Sequence, residues 1–170
     1  MLASLAAVLV AAVPAVGDVA PDFTAKDVDG VEINLAKLVE TGPVIVAFFP
    51  KARTGGCTKE MEAYRDRYKE IEKLQGRVIA ISTDDNDTLK KWKAELKAPQ
   101  TFVADPDKKL VALYDTKMPI IGMASRRTFV IGAGRKVLEV QEGSSAIEPG
   151  GAVAACSLHK DGPAPAPAKK

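Results

Sequence analysis

The chain has 170 residues and a formal net charge of +2. Its residues are 46% hydrophobic and 27% charged, a composition typical of globular proteins. This length suffices for one domain with a sizeable core. Lysines and arginines are spread along the sequence, which argues against the concentrated basic face of a nucleic-acid-binding protein. The chain has only two cysteines, Cys57 and Cys156, which is too few for a disulfide framework. It has one histidine, His159, so a multi-histidine metal site cannot form within one chain. We therefore expect neither a cofactor nor a metal.

The two ends of the chain differ in composition from the middle. Residues 1–15 form an apolar run that is too short to span a bilayer as a helix and ends in a small-residue cleavage site, Val13-Pro14-Ala15. We expect a signal peptide or an N-terminal extension here, although no Lys or Arg precedes the run. A cleaved signal predicts a periplasmic or secreted protein with no membrane contact in its mature form; otherwise the protein is cytoplasmic. The Ala/Pro/Lys tail, 161–170, is predicted to be disordered, which leaves 16–160 as the domain.

The first half of the domain predicts a hairpin, a buried strand and a helix. Residues 23–27 and 31–35 flank Asp29-Gly30, a strong β-hairpin signal. The run Val44–Phe49 has no polar alternation, as expected for a central strand that is buried on both faces. From position 57 to about 74, apolar residues recur at a spacing of three or four, which predicts one amphipathic helix.

The second half alternates strands and helices and then closes with a hairpin. The predicted strands are Val78–Ser82, Thr101–Ala104, Arg126–Ile131 and Val137–Gln141. The predicted helices are one capped within Asp84–Asp87, a short one that starts at 105–107 and runs through Tyr114, and a small-residue one at Gly151–His159. This order predicts an α/β fold with a central mixed β-sheet, helices on both of its faces and an N-terminal β-hairpin.

A strand, a turn and a helix start meet at Cys57. The first turn of a helix carries unpaired backbone N–H groups and the positive end of the helix dipole, which favour a thiolate. Cys57 also follows the carboxyl end of the first central strand, where sites in open α/β sheets usually lie. Thr54 can direct a hydroxyl at the same point. By itself, a lone cysteine is more often a small buried apolar residue, so a nucleophilic role for Cys57 depends on its neighbours.

Four stretches of the sequence match one family in order and at suitable spacing. They are Gly17-Asp-x-Ala-Pro-Asp-Phe23, Pro50-x-x-x-Thr54-x-x-Cys57, Thr58-Lys59-Glu60 and Arg126-x-Thr-Phe-Val-Ile131. Together they resemble the peroxiredoxins (the AhpC/TSA superfamily), most closely the bacterioferritin-comigratory-protein or Q-type branch. The resemblance extends from about residue 17 to 143. It implies a thioredoxin-like fold and a thiol-dependent peroxidase that reduces hydrogen peroxide and organic hydroperoxides.

The resemblance assigns a role to each matching position. Cys57 would be the peroxidatic thiolate, whose sulfenic acid is then reduced by thioredoxin or a low-molecular-weight thiol. Thr54 would bind the thiolate or the incoming peroxide, and Pro50 would shield the reactive centre from water. Arg126 would place a fixed positive charge beside the sulfur. Glu60, in the first turn of the helix, either orients Arg126 or complements the helix dipole.

The chain departs from the family pattern at two positions near Cys57. Gly55 stands where many relatives have proline, which makes the turn more flexible. Glu62 stands where many Q-type relatives carry a resolving cysteine, so Cys156 is the only internal alternative. Two readings stay open: either Cys156 resolves Cys57 through an intramolecular or intersubunit disulfide, or the enzyme is one-Cys and an external thiol acts. The assembly is expected to be a monomer or a weak dimer.

Two rival functions fit the sequence less well. A thiol–disulfide oxidoreductase of the thioredoxin type needs Cys-x-x-Cys, but the frame here reads Thr54-Gly-Gly-Cys57. A non-catalytic copper-carrying or binding module on the same fold would need paired cysteines and a histidine near this loop. The sequence therefore favours peroxide reduction over both.

Overall fold

The computed structural model describes residues 12–161, and it describes side chains as far as position 159. Most of the predicted leader (1–11) and of the predicted tail (162–170) lies outside the described residues. Within the described part, no helix is both long and apolar enough to cross a membrane.

The strands form a small hairpin and a five-stranded mixed sheet. The hairpin pairs β1 (Thr24–Lys26) with β2 (Glu32–Asn34) in antiparallel fashion. The sheet consists of β3 (Val44–Phe48), β4 (Arg77–Ser82), β5 (Thr101–Ala104), β6 (Arg127–Ile131) and β7 (Val137–Glu142). Its order is β5-β4-β3-β6-β7, with β3, β4 and β5 parallel, β6 antiparallel to β3 and β7 antiparallel to β6. Both the N-terminal hairpin and the mixed sheet confirm the prediction.

Within residues 12–161, six helices accompany the sheet. They are α1 (Leu35–Leu38), α2 (Gly55–Asp66), α3 (Tyr68–Lys73), α4 (Asn86–Leu96), α5 (Lys109–Leu113) and α6 (Gly150–Ser157). Short 3-10 turns cover Ala133–Arg135, Gly143–Ile147 and Leu158–Asp161. The predicted cap of α4 is confirmed, because the Asp85 side chain accepts a hydrogen bond from the backbone N–H of Thr88 at 2.8 Å.

Strand β3 divides the core into two layers. Its odd-numbered positions and the following Phe49 pack in one layer with residues of α2, α4 and α6, while its even-numbered positions pack in the other with residues of α1, α5 and the hairpin. All five residues of β3 are buried, which confirms a central strand covered on both faces. Both cysteines belong to the α2 layer.

The predicted helix over 57–74 is wrong in two respects. The helix begins at Gly55, and it is interrupted at Arg67 between α2 and α3. The apolar spacing continues through Arg67 without a Gly or Pro, so periodicity gave no sign of the break. The last predicted helix, 151–159, is shorter than expected, since α6 ends at Ser157 and a 3-10 turn follows.

Candidate active site

Cys57 is the third residue of α2 and lies just past the carboxyl end of the central strand. Thr54 is the N-cap in extended conformation, and the backbone N–H of Thr58 closes the first turn on the Thr54 carbonyl at 2.9 Å. The N–H groups before position 58 therefore lack helical partners, and the dipole of α2 directs its positive end toward the sulfur. Cys57 is only 1% exposed, so this sulfur lies beneath the surface and not on it.

Arg126, the residue just before β6, reaches the sulfur and is held by Glu60. Its Nη2 donates to Cys57 Sγ at 3.3 Å, and its Nη1 donates a charge-assisted hydrogen bond to Glu60 Oε2. Glu60 lies one turn beyond Cys57 on α2 and is fully buried. A single guanidinium thus bridges a carboxylate and the cysteine sulfur, and the carboxylate fixes the direction of the guanidinium.

Arg126 and Arg127 point to opposite sides of the sheet, as strand alternation predicts. Arg127 Nη2 pairs with Glu142 of β7 at 2.8 Å and takes no part in the Cys57 cluster. Thr128, two residues beyond Arg126, faces the same helix layer as Arg126, because Val130 belongs to the α2 layer whereas Phe129 belongs to the other layer. The side of β6 that carries Arg126 therefore faces α2.

The placement of Thr54 differs from the expectation that its hydroxyl points at the cysteine sulfur. The side chain is exposed, and its single hydroxyl proton is donated to the carbonyl of Lys51 at 2.9 Å. A hydroxyl has one proton and two acceptor lone pairs, so Thr54 can still accept a hydrogen bond but has no second proton to give. Pro50, at the end of β3, is half-buried in the same loop.

Two acidic residues that sequence reasoning did not assign to the site hold the 50–54 loop. Asp84 Oδ2 accepts from the Ala52 backbone N–H and from the Ser82 hydroxyl, both at 2.8 Å. Glu95 of α4 accepts two hydrogen bonds from Arg53, at 2.7 and 3.1 Å. Arg53 itself has φ +63°, a left-handed conformation that a non-glycine residue adopts at a cost.

Asp84 lies two residues after β4, beside the end of β3, and this position is the one sequence signal for the support of the loop.

Gly56 lets Arg126 approach the start of α2. A Cβ at this position would lie 3.0 Å from Arg126 Nη2 and 3.8 Å from Ile147 Cδ1. At Gly55 a Cβ would meet nothing within 4 Å. A side chain at position 56 would therefore push against the Arg126 guanidinium, whereas one at position 55 would not.

Burial sets the charge properties of the cluster. Desolvation raises the pKa of Glu60 to about 7, and the nearby charge and hydrogen bonding of Arg126 oppose this rise. Burial also lowers the pKa of Arg126, but the charges of Glu60 and Cys57 outweigh that effect and the net change is a rise. Arg126 is therefore cationic at every physiological pH, whereas Glu60 can change charge near neutrality.

Cys156 lies in a different part of the same core layer. It is fully buried on α6, and both cysteines are free thiols. Burial raises the pKa of Cys156 to about 12, so very little of it is thiolate at neutral pH. Among the described residues, no group of three or more His, Cys, Asp or Glu side chains could hold a metal ion.

Comparison with known proteins agrees with this arrangement. The sequence pattern of the AhpC/TSA family matches residues 16–140. This chain belongs to the AhpC/TSA family. The matched range includes Cys57, Glu60 and Arg126 but ends before Cys156.

Three relatives give the branch and the fold. The chain is 36% identical over 116 residues to the chloroplastic peroxiredoxins Q of Suaeda salsa and of Oryza sativa subsp. japonica, covering 68% of this chain and 54% and 53% of theirs. It thus spans about half the length of these curated relatives. The crystal structure of peroxidoxin BcpB from Mycobacterium tuberculosis superposes with a TM-score of 0.77 at 30% identity, covering 85% of this chain and 96% of that one. The fold is therefore thioredoxin-like, and the relatives support the Q-type branch.

Proposed function

We propose that the protein is a thiol-dependent peroxidase that reduces hydrogen peroxide and small organic hydroperoxides through a sulfenic acid at Cys57. The observation that carries this proposal is the contact of Arg126 Nη2 with Cys57 Sγ at 3.3 Å, at the N-terminal turn of α2. The burial of the sulfur favours small oxidants over bulky ones. The missing thiol at position 54 argues against dithiol exchange of the thioredoxin type.

In the first step the Cys57 thiolate attacks one oxygen of the peroxide. The S–O bond forms as the O–O bond breaks, and negative charge moves from sulfur to the leaving oxygen, which takes up a proton. Arg126 and the free N–H groups of α2 are positioned to stabilise this charge as it moves. Thr54, whose proton is engaged by Lys51, can accept a hydrogen bond from the peroxide O–H and so orient it.

In the second step a thiol reduces the sulfenic acid, with release of water and formation of a disulfide. Cys156 is the internal candidate, and thioredoxin or a low-molecular-weight thiol is the external one. Because Cys156 is fully buried and its pKa is raised to about 12, α6 has to expose it before it can react as a thiolate. Helix α6 suits such opening, since it begins with two glycines and has no side-chain N-cap hydrogen bond.

The Cys57→Ser variant tests the first step, with Cys156→Ser as the matched control. Purified reduced protein is mixed with hydrogen peroxide or tert-butyl hydroperoxide in the presence of a thiol reductant, and peroxide loss is followed. Consumption should disappear in Cys57→Ser and persist at the first turnover in Cys156→Ser. Peroxide consumption that survives Cys57→Ser refutes the proposed mechanism.

Peptide mass under non-reducing conditions, after one equivalent of peroxide, tests the second step. A Cys57–Cys156 linked peptide supports internal resolution. Sulfenic or sulfinic acid at Cys57 with free Cys156 supports a one-Cys enzyme that depends on an external thiol.

Export and assembly complete the proposal. An N-terminal signal over 1–15 would place the mature enzyme in the periplasm or outside the cell, where it works as a monomer or weak dimer without nucleic-acid or membrane partners. The mass of the protein from cells that express the full chain tests cleavage after Ala15. Light scattering of the reduced and oxidised forms tests the assembly.

A further inference from the structure

A cluster of buried polar atoms lies behind Glu60, on the side away from Cys57. Glu60 Oε1, Tyr64 Oη and Thr128 Oγ1 belong to side chains that are fully buried, and none has a hydrogen-bond partner among the residues that the structure describes. Gln141 Oε1 is likewise buried and unpartnered. Buried polar groups are nearly always hydrogen-bonded to protein or to ordered water, so these four atoms point to a bound molecule.

The four atoms are carried by elements that face the same core layer. Glu60 and Tyr64 are one turn apart on α2, and a long helical side chain lies back over the turn before it, so Tyr64 covers Glu60. Thr128 and Gln141 are directly opposite each other on β6 and β7, on the side that faces α2 and α6.

The electrostatics of Tyr64 agrees with this placement. Burial raises the pKa of Tyr64, the charge of Glu60 adds to the rise, and the Thr128 hydroxyl lies close enough to oppose it, although the two hydroxyls do not meet the geometry of a hydrogen bond. The charge that Cys156 would carry as a thiolate also raises the pKa of Tyr64, which places the Cys156 thiol at the α6 wall of the cluster. Glu60, Tyr64 and Cys156, with Arg126 beyond Glu60, are the titratable groups that act here.

We propose that these four atoms bind one internal water molecule, and that this water holds the Glu60 carboxylate in the orientation in which it binds Arg126. The hydrogen-bond inventory balances. The hydroxyls of Tyr64 and Thr128 donate to the water oxygen, and the water donates its two protons to Glu60 Oε1 and Gln141 Oε1. Two donors and two acceptors around a buried site meet the requirement for an ordered water.

The inference deepens the proposed function, because the water would position Arg126 at the peroxide site through Glu60. Tyr64 and Thr128 then act as positioning residues and do not touch the reacting atoms. The water would also add a polar group to the core between the Glu60–Arg126 pair and Cys156.

The first test is structural. A high-resolution crystal structure of the reduced protein should show an ordered water within about 3 Å of the four atoms. The absence of such a water, or a direct Tyr64–Glu60 hydrogen bond in its place, overturns the proposal.

The second test uses Tyr64→Phe, and Thr128→Val as a second variant, each of which removes one partner of the water. Tyr114→Phe is the control, because its buried hydroxyl donates to the Pro21 carbonyl at 2.8 Å in the other core layer. The titration of Glu60 is followed by NMR of labelled carboxyl carbons in reduced protein without peroxide. Losing a hydrogen bond to the charged form should raise the pKa of Glu60 by about one unit in Tyr64→Phe and in Thr128→Val but not in the control.

An unchanged Glu60 titration in both variants overturns the positioning role even if the water is seen. Because neither test uses peroxide, both are independent of whether the protein is a peroxidase. The proposed function fails on a different result, the survival of peroxide consumption in Cys57→Ser.

Discussion

Replacing Arg126 by methionine should affect rate and stability for two separable reasons. The rate of Cys57 oxidation should fall by about 10² to 10³, the usual cost of removing one preorganised donor from a developing negative charge. Stability should also fall, because Glu60 is fully buried and loses its charged partner. Breaking a buried ion pair from one side costs about 3–5 kcal/mol. Since the pKa of Glu60 is already about 7, protonation at neutral pH is cheap and should bring the loss to the lower end of that range.

The double variant Arg126→Met/Glu60→Gln separates the two effects. Removing the stranded carboxylate should recover much of the unfolding free energy, measured by urea titration, while the oxidation rate stays low. Trp92, the only tryptophan in the sequence, packs against Phe49 at 5.6 Å between ring centroids and offers a stopped-flow signal beside the active-site loop. If the rate returns toward wild type together with stability, Arg126 acts only as a structural partner of Glu60 and the catalytic reasoning is refuted.

The Arg126–Glu60 pair and the loop before Cys57 give three further predictions. Gly56→Ala should lower the oxidation rate about tenfold or more by displacing Arg126, a donor in the transition state, whereas Gly55→Ala should not; equal rates would contradict this. The pKa of Glu60 is about 7 in the folded protein and 4.5 in the unfolded chain, so the folded state binds this proton more tightly. The unfolding free energy, measured by urea titration, should therefore fall by about 3 kcal/mol relative to Glu60→Gln as the pH rises from 4.5 to about 7. Asp84→Asn should speed backbone hydrogen exchange at Ala52, and unchanged exchange would mean that another contact holds the loop.

Most of the fold could be predicted because its signals are local. The unbroken apolar run at 44–49 predicts a strand that is buried on both sides, and the aspartate cluster at 84–87 marks the start of α4. The break at Arg67 left no such mark, since the apolar spacing carries through it and α3 turns to pack against α6. Helix interruptions that come from tertiary packing are not visible in periodicity.

The site could be predicted in its types of residue but not in its hydrogen bonds. The family resemblance, through the spacing Arg126-x-Thr-Phe, selected Arg126, and the structure places its guanidinium on the sulfur. The direction of the Thr54 hydroxyl depends on the Lys51 carbonyl, which a turn brings within reach. The support from Asp84 and Glu95 depends on contacts between elements far apart in sequence, and no motif specifies them.

The departure from the family pattern at Gly55 is offset by contacts elsewhere in the loop. Gly55 removes a rigid proline from the first turn of α2, yet the preceding loop is fixed from outside by Asp84 and by the paired hydrogen bonds of Arg53 to Glu95. Asp84, which follows β4, and Glu95 of α4 therefore fix the loop that a proline at position 55 would otherwise stiffen. Those contacts are on the loop side of Cys57, whereas Glu60 and the polar cluster behind it fix the opposite side. Cys57 thus lies between two sets of contacts, one that fixes the loop before it and one that fixes Arg126 beside it.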